Sequence, residues 1–136
     1  MTAIKRTCLV LLGVLLGSFY ASMAVLMVEP WRVEKPPWSP RLLKLAHYAV
    51  SRQTKGRTVY DTVVKVTAAE TQYDGSDSML TFTTAPSSCK IGQVAYSAKK
   101  CLPVGTANKK CTAYIKIVPK LKTKKVANYT CSGLKK

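Results

Sequence analysis

Between residues 39 and 53 the apolar positions recur in steps of three and four: Leu42, Leu45, Ala46 and Ala49, with Gln53 on the next step. That period gives an α-helix one apolar stripe and predicts a helix over about 40–55. Ser39 stands at its N-cap with Pro40 in the first helical position, Trp38 is placed to staple onto Leu43, and Gly56 supplies the stop. Pro30, Pro36, Pro37 and Pro40 forbid an earlier helix, so residues 25–38 read as an extended arm. After Gly56 the period changes to two. Thr58–Thr71, carrying Val59, Val63, Val64 and Val66, reads as a long strand, and Met79–Thr84 as a second beyond the turn signal Asp74-Gly75-Ser76. In Lys110–Val118 the inward set Cys111, Ala113, Ile115 and Ile117 alternates with Thr112, Tyr114, Lys116 and Val118; Lys125–Cys131 is a short fourth strand. Residues 85–109 are rich in Ser, Lys and Gly and read as a long connection. One helix followed by consecutive antiparallel strands is an α+β pattern, with the helix lying across one sheet face.

The N-terminus precedes this pattern. Lys5 and Arg6 lead into the apolar run Cys8–Gly17, and Ser22-Met23-Ala24 offers small residues for cleavage, so residues 1–24 read as a signal peptide. Residues 7–28 carry no charge and are long enough for a retained membrane anchor. The short apolar core, softened by Ser18, Tyr20 and Ser22, favours the signal peptide. The expected product is secreted and extracellular, with no stable membrane insertion once the leader is gone. Its folded part is residues 39–136.

Export changes the meaning of the cysteines. Cys8 lies in the leader, leaving Cys89, Cys101, Cys111 and Cys131, an even set that suggests two disulfides in a short secreted chain. Three pairings remain open at this level. A zinc site is the weaker alternative, since no Cys-x-x-Cys occurs and the single histidine, His47, is remote; no metal or other cofactor is expected. One histidine and few acids also leave little from which to build a catalytic set, so no enzyme is expected.

Charge is the remaining strong signal. The chain has 22 basic and 6 acidic residues, and every acid lies at or before Asp77, whereas residues 78–136 hold twelve lysines. Such a surface attracts polyanions such as glycosaminoglycans, or it simply keeps the chain soluble. No aromatic ribonucleoprotein motif or finger spacing points to specific nucleic-acid binding.

The residues Leu45-Ala46-His47-Tyr48-Ala49-Val50-Ser51, Thr58-Val59-Tyr60-Asp61-Thr62-Val63-Val64, Glu70-Thr71-Gln72 and Leu80-Thr81-Phe82-Thr83-Thr84 closely resemble secreted type 2 cystatins, those of tick saliva in particular. The resemblance spans about residues 30–132. It implies a four- to five-stranded antiparallel sheet wrapped around one long helix, and a monomer. It also implies the pairing Cys89–Cys101 and Cys111–Cys131. The implied function is reversible inhibition of papain-like, cathepsin-type cysteine proteases by a wedge of three parts: a glycine in the arm, a first hairpin Gln-x-Val-x-Gly and a second hairpin with Pro-Trp.

Each part departs from that pattern here. No glycine lies between Gly17 and Gly56. The first hairpin reads Gln72-Tyr73-Asp74-Gly75-Ser76: Gln72 matches, Asp74 holds the valine place, and the glycine comes one position early. The second reads Val118-Pro119-Lys120, with lysine in place of tryptophan. The expectation is therefore a weakened inhibitor, or a scaffold turned to binding polyanions or a host protein through its basic C-terminal half. The family's legumain-type site uses an asparagine after the helix; Lys55-Gly56-Arg57-Thr58 has none. Asn128-Tyr129-Thr130 is a candidate glycosylation sequon beside Cys131.

Overall fold

The computed structural model describes residues 29–118 and 120–134; the expected leader and Pro119 lie outside them. Strand β1 (Arg32–Val33) precedes helix α1 (Pro40–Ser51), followed by β2 (Val59–Gln72), β3 (Asp77–Lys90), β4 (Lys109–Val118) and β5 (Thr123–Gly133). The strands form one antiparallel sheet in sequence order, β1-β2-β3-β4-β5. Three register shifts between β2 and β3 mark bulges or irregularities, the kind of local bend that lets a long hairpin curve around a helix.

The helical stripe is buried as its spacing requires: Leu42, Leu45, Ala46, Ala49 and Val50 face the sheet. They meet Val63, Val66, Ala69, Leu80, Phe82, Cys111, Ala113 and Ile115 in one cluster. The inward set of β4 emerges with its expected alternation. The ends of α1 differ from the expectation. The helix stops at Ser51, because the N–H groups of Arg52 and Gln53 reach back three residues to the carbonyls of Ala49 and Val50 and tighten the last turn. Gly56, at φ +73°, then redirects the chain towards β2. At the other end the Ser39 carbonyl accepts from the Leu43 N–H at 2.9 Å, but the Ser39 hydroxyl makes no cap. Trp38 remains 59% exposed, which leaves little of a staple.

Three further boundaries are corrected. The arm is not wholly unpaired: Arg32 and Val33 align with Thr71 and Glu70. Residues 85–90 belong to β3 rather than to a loop. They pair with the start of β2 (Thr62 with Ala85, Asp61 with Pro86, Val59 with Lys90), and Ser87 bridges to Pro103. Pro86, Ser87 and Ser88 are poor strand formers, so tertiary pairing overrides local propensity. The fourth strand is likewise longer, starting at Thr123.

This order of hairpins places two turns, 73–76 and 120–122, at one end of the sheet. The opposite end holds the 52–58 and 91–108 connections. It also holds the disulfides Cys89–Cys101 and Cys111–Cys131, the second joining directly opposed residues of β4 and β5.

Candidate functional site

The first hairpin turns through three successive residues at positive φ: Tyr73 (53°), Asp74 (55°) and Gly75 (86°). Gly75 adopts this freely; Tyr73 and Asp74 do so at a cost of about 1–2 kcal/mol each. Such a turn persists where its surroundings over-determine it. The Gly75 N–H donates to the Gln72 carbonyl (3.2 Å), and the Ser76 N–H and hydroxyl both donate to the Tyr73 carbonyl (3.1 and 2.9 Å). From the first turn of α1, Arg41 Nη2 donates to the Gly75 carbonyl at 2.9 Å. A β-carbon added at Gly75 would fall 2.1 Å from that nitrogen, so the guanidinium lies where any larger residue would project. Gly75 is consequently buried, and the turn presents Tyr73 and Asp74, both exposed, to solvent. Gln72 closes the end of β2 and is itself buried at 8% exposure.

The second hairpin is tied to the first at its base. The Ile117 N–H donates to the Ser76 carbonyl at 2.7 Å, and Asp77 is aligned with Lys116. Beyond Val118 the turn stands open: Lys120 is exposed, Leu121 is 71% exposed and Lys122 takes a positive φ. Between the two turns lies a hollow of about 560 Å³, lined by Arg41, Tyr73, Asp74, Ser76, Ile117 and Val118. The arm reaches the same end. Trp31 packs edge-on to Tyr114 (5.6 Å between rings), whose hydroxyl donates to Asp77 at 2.7 Å. That carboxylate beside it raises the Tyr114 pKa.

The structure thus gathers Gln72, Tyr73, Asp74 and Gly75 with Val118 and Lys120 at one end of the sheet. Pro119 lies outside the described residues. Nothing in the residue pattern pointed to Arg41. Helical spacing from Leu42 and Leu45 marked only the buried stripe, and Arg41 lies one position ahead of it.

His47 does not join this site. Its Nδ1 is hydrogen-bonded to the Tyr96 hydroxyl, which also meets Thr62 Oγ1 at 2.9 Å. Partial burial lowers its pKa, so the imidazole is neutral at pH 7. Asn128 is exposed on β5, an edge strand, next to the register shift after Tyr114. Among the described residues no cluster of His, Cys, Asp or Glu is arranged to hold a metal, and no helix is long and apolar enough to cross a membrane.

No family model matches the chain. Individual proteins do. It is 42% identical over 119 residues to Cystatin-2 of Ornithodoros moubata, covering 86% of this chain and 92% of that one. Over 135 residues it is 38% identical to Mialostatin of Ixodes ricinus, with 97% and 94% covered. The crystal structure of Mialostatin, a gut cystatin from that hard tick, superposes with a TM-score of 0.73 over 78% of this chain and all of that one. A salivary cystatin from the soft tick O. moubata gives 0.71 at 43% identity, over 76% and 97%.

Proposed function

Because this chain belongs to the cystatin family, we propose that it is a secreted, monomeric, reversible inhibitor of papain-like cysteine proteases whose wedge is weakened by its departures from the family motifs. It works by occlusion and has no catalytic role of its own. The observation that carries this reading is the convergence of arm, first hairpin and second hairpin at one end, with the Ile117–Ser76 hydrogen bond holding the two turns side by side. Two braced turns side by side suit a cleft better than a flat surface.

The weakening follows from what the turns present. Asp74 is exposed and would shed its water on entering a cleft, a cost of several kcal/mol if it stays unpaired. Lys120 stands where the family carries a tryptophan, and a buried tryptophan anchor is worth about 2 kcal/mol or more. Tyr73, 44% exposed at the turn, is the one large side chain positioned to replace part of that contact. Titration against papain and cathepsin L with a fluorogenic peptide tests the proposal. Reversible inhibition is expected, tightening about 30-fold in Lys120→Trp. No inhibition at micromolar protein, by either the natural chain or this variant, would overturn it.

A second reading rests on charge. Beyond Asp77 the chain carries twelve lysines and no acid, which supports binding of heparin-like polyanions. Retention on heparin should then exceed retention on a cation exchanger of matched charge density; equal retention rejects a specific site. Glycosylation of Asn128 is compatible with its exposed position on the edge strand, and an intact mass with and without glycosidase decides it.

A further inference from the structure

Beside the hairpins runs a second, larger hollow, which shares Arg41 and Ile117 with the hollow between the turns. It is a trough of about 610 Å³ between α1, the loop at Ala98 and the β4–β5 hairpin. Pro40, Leu43, Leu45, Ala98 and Ile117 give it apolar walls, and Arg41, Lys44 and Lys124 are its charged residues; no acid lines it. Leu43 is 36% exposed here, although every other leucine of α1 is buried. His47 adds a neutral polar group to the wall. Three of its polar side chains have partners at its rim. The Arg41 guanidinium is drawn to Gly75, the Lys124 ammonium lies over the Tyr48 ring, and the imidazole is tied to Tyr96.

We propose that this trough binds an amphiphilic anion: a carboxylate head on an unbranched apolar chain, of the fatty-acid type. Three features select that chemistry. The volume falls within the range of small-molecule pockets, and the walls bury a chain rather than a sugar. A trough whose charged lining residues are all cations carries a positive potential, which favours one negative head. A polyanion would use the lysines and gain nothing from Leu43, Leu45 and Ile117, so it explains half of the lining.

The test uses the mature protein and decanoate below its micellisation limit, read by calorimetry and by the imidazole resonances of His47, the only histidine in the chain. Saturable one-to-one binding that moves those resonances is expected. Lys44→Ala/Lys124→Ala should weaken it about ten-fold, and Leu43→Asp, at an exposed position, should abolish it. Lys110→Ala, on the far face of β4, should leave it unchanged. Decyltrimethylammonium, with the same chain and the opposite head, should not bind. The proposal is overturned if the imidazole stays unmoved by decanoate, if the cationic amphiphile binds equally, or if Leu43→Asp binds like the natural chain. A heparin tetrasaccharide that moves the resonances while decanoate does not would assign the trough to polyanions instead. Protease inhibition enters none of these readouts, so its loss or retention is a separate result.

Discussion

The two ends of the sheet are built differently. At the hairpin end the chain is held by single hydrogen bonds: Arg41 to Gly75, Ile117 to Ser76, Tyr114 to Asp77. At the other end two disulfides close loops, and Asp61, with its side chain 6% exposed, is paired with both Arg57 and Lys109. The cross-links stand at one end, and the turns of the proposed contact surface stand exposed at the other. A fold whose anchorage lies away from its contact surface tolerates change in that surface. On the proposed reading, a wedge without the tryptophan and the arm glycine leaves the packing of helix and sheet untouched.

Removing an anchor is the strongest way to break this contrast. Cys111 and Cys131 enclose a separation of 20 residues, for which the chain-entropy model gives about 3 kcal/mol. The double variant Cys111→Ala/Cys131→Ala should lower the urea midpoint by roughly 2–3 M, taking about 1 to 1.5 kcal/mol per molar as the slope. Below that transition its inhibition of papain should match the natural chain. A loss under about 1 kcal/mol would show that the cross-linked end is not where stability resides.

The converse variant loosens the hairpin end. Arg41→Ala deletes the charge-assisted bond to the Gly75 carbonyl, which is only partly buried, so about 1 kcal/mol of stability is at stake. The larger consequence is local. Tyr73 and Asp74 are held at positive φ by a turn that has lost its brace. Amide exchange at Gly75 and Ser76 should accelerate, while exchange in β3 near Cys89 stays slow. Inhibition should weaken by about ten-fold, the effect of 1.4 kcal/mol. Arg41→Lys, with a point charge in place of the planar fork, should fall between the two. Unchanged exchange at Gly75 would mean that the turn holds itself.

Much of this architecture was legible in the residue pattern. The steps of three and four from Leu42 to Ala49 marked the helix and its buried face, and the alternation from Cys111 to Ile117 marked β4 and its inward set. Long-range partners were not legible. Residues 85–90 lack strand propensity and are ordered by β2, so no local rule finds them. The missed role of Arg41 has the same cause: its partner is 34 residues away. The first hairpin was placed by its Asp74-Gly75-Ser76 turn signal and the second by the family resemblance. The left-handed conformation at Tyr73 and Asp74 was hidden, since neither residue type demands it.

The smallest expected effect lies at the disulfide end, on the inner side of β5. Tyr129 is aligned with Ala113 and its ring lies 6.1 Å from Phe82. Its buried hydroxyl has no hydrogen-bond partner among the described residues. Burial, the main cause, pushes its pKa up to about 12, with the nearby Asp61 and Tyr96 adding to the rise and Arg57 opposing it. The folded state therefore prefers the neutral phenol. The resulting stabilisation is complete below the ordinary tyrosine value near 10 and is lost as pH rises from there through about 12. Tyr129→Phe removes both the unsatisfied hydroxyl and this titration. At pH 7 the change should be neutral or stabilising by up to about 1 kcal/mol, because no bond is broken and a desolvated polar group disappears. Between pH 10 and 11.5 the natural chain should lose stability relative to the variant, read as a widening gap between their urea midpoints. A gap that stays constant, or a variant less stable at pH 7, would mean that the hydroxyl has a partner in solution, and that even the cross-linked end is held partly by a single hydrogen bond.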